Sequence, residues 1–247
     1  IELKHIFYLS FMVCVILFLN SCQSTQRKTA IQEIVPQETE KSLAEQLSHN
    51  LQKTYGKWSD PETTAHIQRV ALLLLRSDTS VLSAIPSIEP IFIASYEPYI
   101  APGFNNQIYI SKGVIQTVQY ENELAFVLAT QISLLREGHV VKRLAELRGQ
   151  QIGENLIFLP TRPKLVQDPL EHGWFETGGL FDFGAAHYLK AQEEGIKLLY
   201  LAKFDPRGAT NLIQHWNPVV LSKILPKKPE QLRLAREEIA KLSPIPN

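Results

Sequence analysis

Seven histidines, two cysteines and an even balance of 25 basic and 25 acidic side chains are the groups through which this chain could do chemistry. Both cysteines, Cys14 and Cys22, lie near the N-terminus, so the body of the chain has no thiol for a nucleophile or a disulfide. His139 and His187, with a carboxylate such as Glu137 or Asp182, are residue types that hold zinc, since imidazole and carboxylate are its ordinary ligands. Ser111, His139 and Asp182 supply the members of a nucleophilic triad, but no motif positions them. His66, His172, His187 and His215 show no mutual ligand spacing, and each reads most simply as a surface or hydrogen-bonded histidine. Gly178-Gly179 lacks the strand and helix context of a phosphate loop. A formal net charge of zero leaves no electrostatic case for nucleic-acid binding.

Apolar spacing predicts helices over Glu40 to Thr54 and Pro61 to Arg76, with Asp60 as an N-cap ahead of Pro61. Pro90 to Ser95 and Gln107 to Ser111 alternate as strands, joined through the turn-rich Pro102-Gly103-Phe104-Asn105-Asn106. Ser111 to Val118 begins a short helix, Glu121 to Leu135 forms the central one, and Val140 to Gln150 continues helical. Gly153 to Gly184, with Pro160, Pro163 and Pro169, predicts an irregular excursion. Helices over Ala185 to Ala202, Pro206 to Trp216 and Pro229 to Leu242 close the chain. Trp58, Trp174 and Trp216 read as packing anchors, and Glu193-Glu194 as a solvated helix face.

Within the central helix, Thr130, Gln131 and Leu134 stand at i, i+1 and i+4, the spacing of an HExxH motif. Ala101-Pro102-Gly103 and Gln107 to Ile115 precede that helix; Lys190-Ala191-Gln192-Glu193-Glu194-Gly195 and Phe204-Asp205-Pro206 follow it. In this order, over roughly Glu40 to Leu242, the chain resembles peptidase family M forty-eight, which includes HtpX-like membrane proteases and BepA-like periplasmic ones. The resemblance implies an α+β, zincin-like metallopeptidase domain, mostly helical around a small antiparallel sheet. It also implies that the chemistry has gone. The two histidine ligands fall at Thr130 and Leu134 and the base at Gln131; the third ligand falls at Lys190, the aspartate after it at Gln192, and a late His-Pro at Leu225-Pro226. Of the family's functional positions only His139 is kept, and it is not a ligand there. Threonine is a poor zinc ligand, leucine has no lone pair, and a glutamine amide takes no proton near neutral pH. Neither zinc nor another cofactor is expected, and no catalytic residue is assigned. If Lys190 replaces the third ligand, its ammonium should reach the turn from Thr130 to Leu134 and donate there, with Glu123 as a neutraliser.

Lys4 and His5 precede the apolar run from Ile6 to Leu19, which is short for a membrane span and suits the core of a secretory signal. Leu19-Asn20-Ser21-Cys22 resembles a bacterial lipobox, in which Cys22 becomes the lipid-bearing N-terminus. The expected organisation is a signal peptide over 1–21, a polar tether over 22–39 and a metallopeptidase-like domain over 40–247. Gln23 is not the aspartate associated with inner-membrane retention, so the outer membrane, on its periplasmic face, is the expected address. The function expected is that of a pseudoprotease in the cell envelope that binds envelope proteins or an active peptidase relative. The alternative is an active zinc metalloendopeptidase with displaced ligands.

Overall fold

The computed structural model describes residues 37–147, 168–216 and 225–242. Cys22, the leader and nearly all of the tether lie outside that range, as do the far end of the helix expected to reach Gln150 and the first part of the irregular excursion.

Helix α1 (Gln37–Tyr55) buries Leu43, Ala44, Leu47 and Leu51, a stripe at intervals of three and four that gives it one apolar face. Asp60 caps α2 (Pro61–Ser77), accepting from the N–H groups of Glu62 and Thr63 at 3.1 and 3.3 Å, while Pro61 occupies a first-turn position that needs no donor. Ile67, Val70, Ala71, Leu74 and Leu75 carry α2 into the core. Asp78 then ends α2 and caps a further helix, α3 (Thr79–Ala84), by accepting from Ser80 N–H at 2.8 Å. That helix is too short to show a period in sequence, and only Val81 of it is buried.

Three strands follow, β1 (Glu89–Ile93), β2 (Ile100–Pro102) and β3 (Gln107–Ser111), in the order β1-β3-β2. β2 and β3 form an antiparallel pair across a turn in which Asn105 and Asn106 hold left-handed φ values of 50 and 61°, a conformation asparagine tolerates. β1 pairs with the other edge of β3 in parallel. The sheet is therefore mixed, which corrects the antiparallel sheet expected from the sequence. From β1 the chain crosses to the far side of β3, lays down β2 and returns by the hairpin, so β1 and β3 run the same way. β2 is three residues long and offers no alternation to read. All five residues of β3 are buried.

Helix α4 (Lys112–Thr117) starts at Ser111. In α5 (Glu121–Arg136) every residue from Glu123 to Leu134 is buried, as in a helix enclosed on all sides. The chain bends by 56° at Glu137–Gly138 into α6 (His139–Leu147), and no single described helix is long and apolar enough to cross a membrane. Residues 168–184 form a run of turns before α7 (Ala185–Leu201), α8 (Arg207–His215) and α9 (Lys228–Ala240). Two glycines set how closely these helices approach α5. A Cβ on Gly195 would stand 3.1 Å from Thr130 N and 3.2 Å from its hydroxyl; one on Gly208 would stand 2.6 Å from the Asn122 carbonyl oxygen. The architecture is α+β, with a helical layer built around α5 and a small sheet beside it.

Candidate functional site

Thr130 and Gln131 line a cavity of about 400 Å³ bounded by α5, α7, α8 and the chain from Leu225 into α9. Ile100 of β2 reaches the same cavity, and Phe126, Val127, Leu212 and Ile213 make most of its wall apolar. Gln192, Leu225 and Pro226 line it too. Three stretches far apart in sequence, each assigned from the sequence to one catalytic neighbourhood, thus meet in one place.

Hydrogen bonds fix the direction of several polar groups of the cavity. The Thr130 hydroxyl donates its proton to Phe126 O at 3.0 Å, one turn back on its own helix. Gln231 donates through Nε2 to the carbonyl of Pro226 at 2.5 Å, which leaves its side-chain oxygen to accept from Gln192 Nε2 at 2.7 Å. A backbone carbonyl can only accept, so this chain of bonds has one sense and leaves the buried Gln192 oxygen without a partner. Among the described residues Gln192 Oε1, Gln131 Oε1 and Trp216 Nε1 are buried atoms with no hydrogen-bond partner. Gln131 and Gln192 are 5% and 7% exposed, so water reaches them poorly. Tyr188, a turn before Gln192, also faces the cavity and donates its hydroxyl to Phe181 O at 2.7 Å; burial, then the Asp182 charge, raises its pKa.

Lys190 stands elsewhere. Its side chain is 56% exposed, and its ammonium lies 3.8 Å from Glu137 and 3.9 Å from Glu194, so it does not reach into the turn between Thr130 and Leu134. The physical reason is helical phase. Tyr188, Ala191, Gln192 and Gly195 form the face of α7 turned inward, and position 190, two residues from both 188 and 192, falls on the outer side. Any group of α7 that answers Thr130 and Gln131 is Tyr188 or Gln192. Glu123 is no neutraliser of Lys190 either: it is fully buried at the first turn of α5, accepts from Gln119 N–H at 2.8 Å and lies 3.6 Å from His215 Nε2. Leu134 is fully buried in the core, away from the cavity.

The other sequence candidates divide. His139 and His187 do come together, with ring centroids 4.5 Å apart, and Phe183 lies 5.6 Å from His139. Among the described residues, however, no group of three His, Cys, Asp or Glu side chains is placed to hold a metal ion. Ser111 donates to Glu97 O at 2.6 Å and accepts from Tyr99 N–H at 2.9 Å, and Asp182 accepts from the N–H groups of Gly178 and Gly184. Both are bound to local backbone, and no triad forms with His139. Trp58 packs edge-on against Phe92, and Trp174 donates to Leu170 O at 3.1 Å, as anchors do. Trp216 is different: the residue lines the cavity, and its buried indole N–H has no acceptor among the described residues. Sequence reasoning missed Tyr188, Trp216 and Gln231 as members of the site. A polar stripe at 188 and 192 on an otherwise apolar helix face was the one signal that could have found the first.

Burial, then the nearby His187, Lys142 and Lys190 charges, lowers the His139 pKa to about 4, with Glu137 acting weakly in the opposite sense. The folded state therefore holds this imidazole neutral where the unfolded chain, with a pKa near 6.5, binds a proton. Its contribution to stability is fully present above pH 6.5 and is lost as pH falls toward 4, on the order of 1–3 kcal/mol in all. Replacing His139 by glutamine should flatten the urea-unfolding free energy across that window. An unchanged acid slope in the variant would contradict a buried neutral imidazole.

No family model matches the chain, and no curated protein matches it.

Proposed function

We propose that this chain is a non-catalytic binding protein of the cell envelope, a lipid-anchored pseudoprotease of zincin-like architecture that holds a partner in the cleft where a metallopeptidase would cut one. The observation that carries the reading is the cavity beside Thr130 and Gln131, which gathers Gln192, Leu225 and Pro226 from the places the family resemblance gives to active-site groups. Its donor set does not fit zinc. The Thr130 hydroxyl is committed to Phe126 O, Leu134 is in the core, and two neutral amide oxygens carry none of the charge that a divalent ion with strong ligands requires. Among the described residues that line it there is no carboxylate or imidazole to act as a base. What remains is an apolar recess with fixed polar points, which is the composition of a ligand site. β2 lies at one edge of the sheet, and its pairing with β3 through positions 99, 101 and 103 turns the backbone groups of Ile100 outward beside the cavity. An extended segment can add there by main-chain bonds, a mode of binding that uses no metal.

Purified full chain, incubated with excess zinc and then dialysed, should retain far less than one equivalent by elemental analysis, and should leave unfolded casein intact. Stoichiometric zinc, or cleavage that a chelator stops, would instead favour an active enzyme with displaced ligands. The His139→Ala and His187→Ala variants would then lose that zinc.

A further inference from the structure

The charges around the cavity beside α5 are one-sided. Among the described residues Lys227 and Lys228 line it and no carboxylate does. Both lysines are exposed, whereas Phe126, Val127, Leu212 and Ile213 are buried, so the cations stand at the mouth and hydrocarbon lies behind them. The amide oxygens of Gln131 and Gln192 and the indole N–H of Trp216 are enclosed within the wall, and the surface turned to the cavity is chiefly apolar. The Lys228 ammonium reaches to α8 and donates to Gln214 O at 2.6 Å, which leaves it two further N–H donors.

These lysines are placed against the local electrostatics. They occupy the N-cap and the first position of α9, the positive end of the helix dipole, where acidic or small polar residues are the favourable choice and no side-chain hydrogen bond caps the turn. Glu230, the acidic residue of that turn, does not line the cavity. An anion at the mouth would relieve the conflict.

We infer that this cavity is a binding site for a single-chain anionic amphiphile, its acyl chain lodged against Phe126, Val127, Leu212 and Ile213 and its carboxylate or phosphate held at Lys227 and Lys228. The inference rests on the binding-module reading and names the class of ligand that module holds. Volume sets the length of the chain. A methylene takes about the room of a water molecule, ~30 Å³, so a cavity of about 400 Å³ accepts about a dozen of them. A diacyl lipid would leave one chain in water. A cationic amphiphile would set like charge against the two lysines. An uncharged apolar side chain of a partner would fill the recess and leave the lysines unanswered.

The test is calorimetric titration of the purified full chain, with tryptophan fluorescence as a second readout and every probe kept below its micelle concentration. From octanoate through decanoate to dodecanoate the affinity should climb by up to about fourfold for each methylene, then level off in longer chains that find no more room. At low salt dodecanoate should bind at least about tenfold more tightly than dodecyltrimethylammonium. Lys227→Glu combined with Lys228→Glu changes two exposed residues at a helix start that favours acids, and should erase or invert that preference while dodecanol binds as before. Lauroyl lysophosphatidylglycerol separates the two head groups: binding tighter than dodecanoate assigns a phosphate, weaker binding a carboxylate, and either supports a single-chain anion. Equal affinity for the anionic and cationic probes would overturn the inference. So would a chain-length series that is flat or never levels, or binding of none. The ranking in the unmodified protein decides whether or not the variant folds. Zinc content and casein cleavage judge the binding-module reading separately, so either idea can fail alone.

Discussion

Gly208→Val should destabilise the protein by about 3 kcal/mol and abolish ligand binding in the cavity beside α5. The substituted Cβ would stand 2.6 Å from Asn122 O and 2.7 Å from Asn122 C, and within 2.9 Å of the Asn122 side chain. The first two are backbone atoms in the opening turn of α5, so no rotamer change relieves the clash and α8 has to move as a body. Leu212 and Ile213 move with it, and the cavity loses one wall. Gly195→Ala offers the contrasting case. Its Cβ meets Thr130 N at 3.1 Å, the Thr130 hydroxyl at 3.2 Å and Ala129 C at 3.4 Å, a squeeze of tenths of an ångström. Alanine in the middle of a helix gains up to about 1 kcal/mol over glycine, so the two effects nearly cancel and a change within about 1 kcal/mol is expected. Urea titration of both variants checks the pair. Equal midpoints for Gly208→Val and the unmodified chain would show that α8 does not lie against Asn122.

The contrast between these two glycines also shows what was legible in the sequence. The helices could be read because their signals are local: Asp60 before Pro61 as a cap, the 43-47-51 stripe of α1, the apolar run from Leu124 to Ala129 in α5. β2 and α3 could not be, since a three-residue strand and a six-residue helix with one buried side chain span fewer than two periods of their patterns. The parallel pairing of β1 with β3 depends on which side of β3 the chain returns to, and residue types do not record that. For the site, Thr130 and Gln131, singled out by their spacing along α5, line the cavity, while Lys190, reached on α7 by order alone, lies beside Glu137 and Glu194. Helical phase, judged from the buried positions 188, 191, 192 and 195, decides the matter in favour of Tyr188 and Gln192. The relay from Gln192 through Gln231 to Pro226 joins segments about forty residues apart and had no signature in the sequence.

The three places spaced as in an HExxH motif have different surroundings. Leu134 is fully buried, the Thr130 hydroxyl donates to its own helix, and Gln131 lines the cavity with a buried side-chain oxygen that has no partner. Restoring histidines at 130 and 134 would therefore not rebuild a metal site. A histidine at 134 would bury a polar ring in the hydrophobic interior, where an unmatched polar group costs a few kcal/mol.

Cys22→Ser should move nearly all of the protein out of the membrane fraction or leave it as an unprocessed precursor. The expectation comes from Leu19-Asn20-Ser21-Cys22 following the apolar run from Ile6 to Leu19: the pattern gives a lipoprotein peptidase a large aliphatic residue three places before the cysteine and a small one just before it. Acyl chains on the cysteine add about 0.8 kcal/mol of membrane affinity for each buried methylene, so a two-chain anchor holds the protein where a single chain would exchange. No described helix is long and apolar enough to take over that role. A serine at 22 offers no thiol for the diacylglycerol, and processing of the leader depends on that modification. Two readouts decide the point: the mass of the N-terminal peptide, which should show a lipidated Cys22 and nothing before it, and partition into detergent. If the variant partitions into the membrane as the unmodified chain does and has the same mature mass, the anchor lies elsewhere, and with it the envelope address on which the proposed partners depend.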